Sequence, residues 1–297
     1  MSAPESIGFL LHPGEQTAVQ AAIARAQACG YGVWTALEDP ESQLAEHAGT
    51  TRLLVTVGGD GTFLYGARLA APLSIPVLGA NRGRLGFLAE VEIDELPAAI
   101  SRFAGDDFRI QRRSLLDVEA LGDGLSARAL ALNELVARTR EVSLARVRLD
   151  VDGDLLGLFD SDGVVVATAT GSTAYAMSAG GPPVDPRLRV LVVVPLAPHA
   201  VITRPVVLPD AVEVRVVLER GTVSVAADGV ELGELTGAGE VRVRPGPDLE
   251  VVRFGDSPTF MQRLRQKFRY GVPLRDFAAA DAESRDAAGP GALDDAS

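Results

Sequence analysis

The chain has 297 residues, of which 47% are hydrophobic and 23% charged, and its formal net charge is −12. This composition is typical of a globular protein with one large domain or two smaller ones, and the acidity argues against broad binding of nucleic acid or anionic membrane. The longest apolar run, residues 190–202, is too short to span a bilayer, and the N-terminus has no pattern of a secretory signal. One cysteine and three histidines exclude an intrachain disulfide and a Cys/His zinc cluster. We therefore expect a cytoplasmic protein.

The first hundred residues alternate between strand and helix patterns. Apolar runs predict strands over 7–11, 31–36, 52–57 and 75–79, and helical spacing predicts helices over 16–29 and 62–71. Alternation of this kind favours a mainly parallel sheet covered by helices, an α/β domain. Ligands of such sheets bind beyond the carboxyl ends of the strands.

From about residue 108 the pattern changes to short strands separated by Gly-Asp turns, which is typical of an all-β domain. The predicted strands cover 114–121, 127–132, 145–151, 155–159, 190–194, 212–218, 222–226 and 240–244. We therefore predict an α/β domain over 1–105 and a β-rich domain over 106–265. We also predict a segment over 266–277 that returns toward the N-terminal domain and a disordered tail over 278–297.

A glycine-rich turn, Gly58-Gly59-Asp60-Gly61-Thr62, lies where the third strand meets a helix. Bare amides at a helix N-terminus bind anions, so Gly58, Gly59, Gly61 and Thr62 are candidates for binding the phosphates of a donor. A carboxylate repels phosphate, so Asp60 needs another task, and orienting a hydroxyl nucleophile is one. The simpler interpretation is a tight turn with Asp60 as helix N-cap. Lys267, the single lysine, is too far away for a P-loop.

Three further segments narrow the interpretation: Asn81-Arg82-Gly83-Arg84-Leu85-Gly86-Phe87-Leu88, Leu132-Asn133-Glu134 at a predicted strand end, and Thr170-Gly171-Ser172-Thr173-Ala174-Tyr175. With the glycine-rich turn, these segments closely resemble the NAD kinase family over about residues 7–267. The resemblance implies two domains, α/β and then β, in an architecture shared with diacylglycerol kinases. It also implies an enzyme that phosphorylates the adenosine ribose 2′-hydroxyl of NAD, with ATP or polyphosphate as donor. Magnesium would arrive with the donor, and members are homodimers or homotetramers.

The resemblance also assigns residues. Asp60 is the expected catalytic residue, which orients or deprotonates the hydroxyl. The expected NAD contacts are Asp60, Gly61, Asn133, Glu134, Asp162, Thr173, Ala174, Tyr175, Ser178 and Ala197. For His199, a core position and a ligand contact are equally compatible with the sequence, and Ser172 fits a helix cap better than a ligand contact.

Three positions depart from the family pattern: Asp160 replaces a basic residue, Ala169 a proline and Val230 a glutamine. These departures put individual contacts to the pyrophosphate and to a neighbouring subunit in doubt. Two alternative functions stay open: a lipid kinase of the diacylglycerol type, which shares the glycine-rich turn, and a catalytically silent NAD(P)-binding regulator.

Overall fold

The computed structural model of the protein describes residues 4–82, 86–122, 124–140, 143–200 and 203–271. Strands and helices alternate up to residue 104. Two of the helices, Pro40–His47 and Leu96–Ala104, were not predicted from the sequence. In chain order the elements of this part are β1 Ser6–Leu11, α1 Gln20–Ala28, β2 Gly32–Ala36, α2 Pro40–His47, β3 Thr51–Val57, α3 Asp60–Ala70, β4 Val77–Asn81, β5 Val91–Glu92 and α4 Leu96–Ala104.

The next part consists almost entirely of strands. Its elements are β6 Arg109–Gly122, β7 Leu125–Ala131, β8 Glu134–Arg138, β9 Ala145–Val151, β10 Asp154–Ser161, β11 Gly163–Thr168, α5 Tyr175–Ser178, β12 Val190–Leu196, β13 Val206–Pro209, β14 Val214–Arg220, β15 Thr222–Ala227, β16 Val230–Thr236 and β17 Glu240–Arg253. The predicted fold class, an α/β part followed by a β-rich part, is confirmed.

One long strand, β17, joins the two parts. The parallel strands are ordered β4-β3-β1-β2, and β17 lies beside β4, where Val251 pairs with Val77. Along its length β17 also pairs antiparallel with β6 and β14. A second sheet has the strand order β13-β12-β11-β8-β15-β16.

Apolar side chains pack on both faces of the parallel strands and between the two sheets of the β-rich part. Helices α1 and α4 cover one face of the parallel strands, and α3 covers the other through Phe63 and Ala67. In the β-rich part the two sheets pack face to face, with Val164 and Val166 of β11 in the same cluster as Leu149 of β9. Because β11 is buried on both faces, its sequence is a continuous apolar run rather than an alternating one.

The chain divides into two compact units, one up to Ser257 and one from Pro258. In the second unit, α6 (Phe260–Phe268) begins with a capping box in which Thr259 and Gln262 exchange hydrogen bonds. The boundary near residue 105 and the returning segment 266–277 stay predictions. The predicted tail, 278–297, lies outside the described residues.

Candidate active site

The glycine-rich turn connects β3 to α3 at the carboxyl ends of the parallel strands. Gly58 has a φ of 152°, and a Cβ atom there would lie 2.6 Å from Thr62 Oγ1 and 2.9 Å from His12 Cβ. Both the backbone angle and the space therefore require glycine at this position. Gly59 is the extended N-cap residue of α3, and Asp60 is the first residue of the helix.

The carboxylate of Asp60 is exposed at this helix start. The interpretation of Asp60 as an N-cap is wrong, because Gly59 holds that position and α3 has no side-chain cap hydrogen bond. Gly86 lies against the carboxylate, since a Cβ atom at Gly86 would be 3.0 Å from Asp60 Oδ1. The glycine-rich turn and the end of the Asn81–Leu88 motif therefore meet.

A cavity of about 530 Å³ opens beside this turn. Its walls come from the ends of β1 and β2 and the starts of α2 and α3. The lining residues are Leu10, Leu11, His12, Pro13, Leu37, Pro40, Gly59, Gly61, Thr62 and Tyr65.

The Asn133-Glu134 pair lies at a junction between two strands. The sequence predicts that this pair ends a strand, but β7 ends at Ala131 and Glu134 is the first residue of β8. At this junction the Asp228 carboxylate accepts hydrogen bonds from the amides of Leu132 at 2.8 Å, Asn133 at 2.7 Å and Glu134 at 3.2 Å. Here the chain passes from the sheet that contains β7 to the sheet that contains β8.

Asp228 is a positioning residue that sequence reasoning missed. Its side chain is fully buried, and Arg68 of α3 lies 3.3 Å from Oδ2. Burial raises the pKa of Asp228, while the three amides and Arg68 lower it in part. The sequence signal for Asp228 was the Asp228-Gly229 turn that follows β15. This turn directly precedes Val230, one of the positions that differ from the family pattern.

The Glu134 carboxyl is buried with an unused acceptor. Burial, followed by the nearby negative charge of Asp228, raises the pKa of Glu134 to about 7, and a hydrogen bond from the Tyr175 amide lowers it in part. Oε2 of Glu134 has no hydrogen-bond partner among the described residues. A ligand hydroxyl would satisfy this oxygen, whose isolation otherwise costs about 1–3 kcal/mol.

The Thr170–Tyr175 motif packs directly against this junction. Thr168 at the end of β11 donates through Oγ1 to Leu132 O at 2.6 Å, and a Cβ atom at Gly171 would collide with the Asn133 carbonyl. Ser172 is buried and donates to Ala169 O at 2.7 Å. The interpretation of this serine as a helix cap is wrong, because Ala174 is the N-cap residue of α5 and no side chain caps that helix. Thr173, Ala174 and Tyr175 are half-buried, and Ser178 is exposed.

A second cavity, of about 540 Å³, brings together Asp162, Tyr175 and His199. His199 is exposed, which rules out a core position. Ala197, beside the lining residue Leu196, has a φ of 42°, an uncommon angle for a residue other than glycine. The other lining residues are Arg138, Thr139, Ser143 and Leu144.

The three positions that differ from the family pattern have distinct surroundings. Asp160 accepts two bonds from Arg146, at 2.9 and 2.7 Å, and lies 3.3 Å from Arg220, so guanidinium groups of neighbouring strands balance its charge. Ala169 is buried in an apolar cluster, and Val230 is exposed.

No group of three or more His, Cys, Asp or Glu residues in the described ranges is arranged to hold a metal ion. Within the same ranges, no helix combines the length and the hydropathy that a membrane span needs.

Comparison with known proteins identifies the class of this fold and these motifs. A model of the ATP-NAD kinase N-terminal domain matches residues 14–108, and a model of the ATP-NAD kinase C-terminal domain matches residues 132–253. The chain is therefore a kinase. An NAD kinase from Heliobacterium modesticaldum is 38% identical over 240 residues, 79% of this chain and 84% of that protein. One from Rhodococcus erythropolis is 42% identical over 225 residues, 74% and 71% of the two chains.

Solved structures agree. An NAD kinase from Archaeoglobus fulgidus in complex with ATP is 26% identical, with a TM-score of 0.66 over 89% of this chain and 97% of that one. Yeast NADH kinase complexed with NADH has the same fold, with a TM-score of 0.79 and 22% identity over 92% and 90% of the chains. The chain belongs to the NAD kinase family, as its sequence motifs indicate, and it is an enzyme that phosphorylates NAD. Neither the lipid kinase nor the silent regulator is supported.

Proposed function

We propose that Asp60 orients the 2′-hydroxyl of the adenosine ribose of NAD for attack on the terminal phosphoryl group of ATP. The observation that supports this role is that Asp60 is exposed at the start of α3 without capping the helix. The donor's phosphates lie on the amides of Gly59 and Gly61 and beside Thr62. The Gly58 amide, which the sequence also suggested for this role, donates to Ala80 O at 3.0 Å instead.

The transfer step replaces one bond to the γ-phosphorus with another. The 2′-oxygen forms a bond to the γ-phosphorus while the bond from that phosphorus to the bridging oxygen breaks, and ADP leaves. The hydroxyl proton passes to an Asp60 carboxylate oxygen, and the product is NADP. Because the transition state of phosphoryl transfer is loose, a weakly basic carboxylate suffices to position the nucleophile.

Magnesium fits this turn as a partner of the donor. Mg²⁺ is usually bound through one or two carboxylates together with substrate phosphates, and Asp60 is a carboxylate beside the proposed phosphate position. When bound with the donor, the ion would neutralise charge on the phosphates, and the amides of Gly59 and Gly61 would hold the remaining phosphate oxygens.

The acceptor NAD binds at the junction between β7 and β8 and at the second cavity. Asn133 supplies an amide for the adenine edge. Glu134 accepts from ribose hydroxyls through Oε2, the oxygen without a hydrogen-bond partner in the described part of the chain. The half-buried residues Thr173, Ala174 and Tyr175, with Ser178, line the adenosine. Asp162 and Ala197, at or beside the second cavity, contact the nicotinamide end.

Asp60→Asn tests this proposal. We expect kcat to fall by about 10²–10⁴-fold, the usual contribution of a general base, while the Kd of NAD changes little. Asp106→Asn is the control, because Asp106 is an exposed loop aspartate that lines neither cavity. Wild-type turnover by Asp60→Asn would remove this residue from the mechanism.

The assembly is a homodimer or homotetramer formed through the β-rich part. In support, β10 lies at an edge of the large sheet and leaves Leu155 61% and Leu158 50% exposed. Apolar side chains on an open sheet edge are typical of a surface that another chain covers. Light scattering measures the mass, and a monomer at assay concentrations would contradict this assembly. The cytoplasmic location stays a prediction from the sequence.

A further inference from the structure

An ion pair joins two of the loops around the glycine-rich turn. Arg82 donates through Nε to Glu15 Oε1 at 3.2 Å and through Nη2 to Glu15 Oε2 at 2.7 Å. Glu15 lies in the loop after β1, and Arg82 directly follows β4. A bidentate pair of this kind fixes the orientation of the guanidinium plane as well as its position.

The strand order places this ion pair across the start of the glycine-rich turn. In the sheet, β3 lies between β4 and β1, and the three parallel strands end at the same edge. A side chain that reaches from the loop after β4 to the loop after β1 therefore passes over the end of β3. Gly58, which follows β3, contacts both neighbours: its amide donates to Ala80 O at 3.0 Å, and a Cβ atom there would lie 2.9 Å from His12 Cβ.

Arg82 supplies positive charge at this edge of the sheet. It is the one guanidinium, and there is no lysine, in the described loops that follow the parallel strands, which are residues 12–19, 37–39, 58–59, 82 and 86–90. Asp60 and Glu15 bring negative charge to the same region. Phosphoryl transfer spreads negative charge over the oxygens of the transferred group, and a guanidinium held there stabilises that charge.

The pairing with Glu15 leaves one end of the guanidinium available. Nε and Nη2 of Arg82 bond to the carboxylate, whereas no described residue accepts from Nη1. The Arg82 side chain is 68% exposed, so a ligand can reach it, and the Glu15 side chain is 15% exposed. The hydrogen bond from Arg82 lowers the pKa of Glu15, so the carboxylate stays ionised at neutral pH and retains the guanidinium.

We propose that Arg82 contacts the terminal phosphoryl group of the donor through Nη1 and stabilises its charge during transfer, while Glu15 holds the guanidinium over the turn. Arg82 is then a catalytic residue, and Glu15 is a positioning residue that acts through it. This inference rests on the proposed function, because it takes the donor's phosphates to lie on the amides of Gly59 and Gly61.

Arg82→Ala tests the contact, and Arg128→Ala is its matched control. Arg128 forms the same bidentate pair with Asp117. The exposed fractions of the two side chains there are 72% and 15%, close to the 68% and 15% of Arg82 and Glu15. Arg128 belongs to β7 and lines neither cavity of the candidate active site. Exposed ion pairs contribute little to stability, so both variants should unfold at the wild-type midpoint.

The measurements are kcat and, by calorimetry with magnesium, the Kd values of ADP and of a non-hydrolysable ATP analogue. We expect Arg82→Ala to lower kcat by about 10²–10³-fold, as the loss of one donor to a developing charge does. The Kd of the ATP analogue should rise severalfold while the Kd of ADP stays unchanged, because ADP lacks the terminal phosphoryl group. Arg82→Lys keeps the charge and should recover part of kcat. Arg128→Ala should match the wild type throughout.

Glu15→Gln tests the positioning role. Its neutral amide has one acceptor oxygen, so the bidentate pair is lost and kcat should fall severalfold. In the Arg82→Ala background the same substitution should have no further effect, because Glu15 acts only through Arg82. A full additional loss in the double variant would overturn the positioning role of Glu15.

A wild-type kcat for Arg82→Ala would overturn the proposal. Equal weakening of ADP and the ATP analogue would also overturn it, since the guanidinium would then serve the whole nucleotide rather than the terminal phosphoryl group. If the wild-type protein formed no NADP, the proposed function would fail instead. The two Kd values would still decide whether Arg82 contacts the terminal phosphate.

Discussion

Arg68 and Asp228 form an ion pair, with 3.3 Å between Nη1 and Oδ2, that connects α3 to the junction between β7 and β8. Helix α3 begins at Asp60, beside the proposed phosphate position, and carries Arg68 in its last turn. Asp228 in turn binds the amides of Asn133 and Glu134. One helix therefore links the residues proposed for the donor with those proposed for NAD.

Asp228→Asn should weaken NAD binding more than ATP binding. The amide has one acceptor oxygen in place of two, and its NH2 group faces backbone N–H donors, so at least one of the three amide bonds is lost. An unsatisfied buried group costs about 1–3 kcal/mol, so we expect a drop of that size in the unfolding free energy. Urea denaturation and the KM values of the two substrates measure these effects.

Asp152→Asn provides the matched control. Asp152 also has a positive φ and accepts from a backbone amide, that of Glu213 at 2.9 Å, but it is exposed. We expect little change in either measurement for this variant. If Asp228→Asn matched Asp152→Asn in both measurements, Asp228 would not position the NAD site.

The part of the site built from local sequence was predictable. The strand over 145–151 coincides with β9, and the glycine-rich turn follows β3 as the apolar run and its stop indicate. A strand that ends in consecutive glycines needs no distant residue to specify its turn. Helix α4 also had a usable signal that was overlooked, since its buried residues Leu96, Ala99, Ile100 and Phe103 have helical spacing.

What could not be predicted depends on distant residues. Asp228, far along the chain, binds the amides of Leu132 and Asn133, which directly precede the strand that begins at Glu134. The predicted strand over 240–244 extends as β17 to Arg253, because β6 pairs with it on both sides of a bulge between Pro245 and Asp248. Proline and glycine at that bulge hide the continuation in the sequence. Helix α2 has only Leu44 buried, so no amphipathic pattern marks it.

NAD binding should tighten as the pH rises through about 7, the pKa of Glu134. The ionised carboxylate accepts from ribose hydroxyls, whereas the protonated form offers a weaker acceptor. Calorimetric titrations at pH values on either side of 7 measure the Kd of NAD. Glu134→Gln stays neutral and should lose this dependence. A wild-type Kd that is flat across pH 7 would contradict the role of Glu134.

The same ionisation has the opposite effect on the stability of the ligand-free protein. The pKa of Glu134 is raised from its ordinary value of 4.5 to about 7, so between these values the folded state holds a proton that the unfolded state has released. The contribution to the unfolding free energy is therefore full at low pH and is lost as the pH rises to 7. Glu134→Gln has no ionisable group at this position, so its unfolding free energy should not fall in this way. The pKa of Asp228 is also raised, so the quantity to measure is the difference in unfolding free energy between wild type and Glu134→Gln as the pH changes.

Gly61→Ala separates a structural role of the glycine-rich turn from a role in donor binding. Gly61 lies in the first turn of α3, and a Cβ atom there would meet nothing within 4 Å. Alanine favours helix over glycine by about 0.5–1 kcal/mol, so we expect the variant to be as stable as the wild type or slightly more so. If the donor's phosphates lie on these amides, the methyl group occupies their space. The KM of ATP should then rise severalfold while the KM of NAD is unchanged.

Alanine variants of two other glycines serve as comparisons for Gly61→Ala. Gly49→Ala also adds a methyl group in open space, but away from the turn, and should leave both KM values at the wild-type level. Gly58→Ala should lower the thermal midpoint, because alanine there has an unfavourable φ of 152° and collides with Thr62 and His12. A stable Gly61→Ala enzyme with a wild-type KM for ATP would mean that the phosphates do not touch this part of the turn. The glycines would then serve only to let β3 pass into α3.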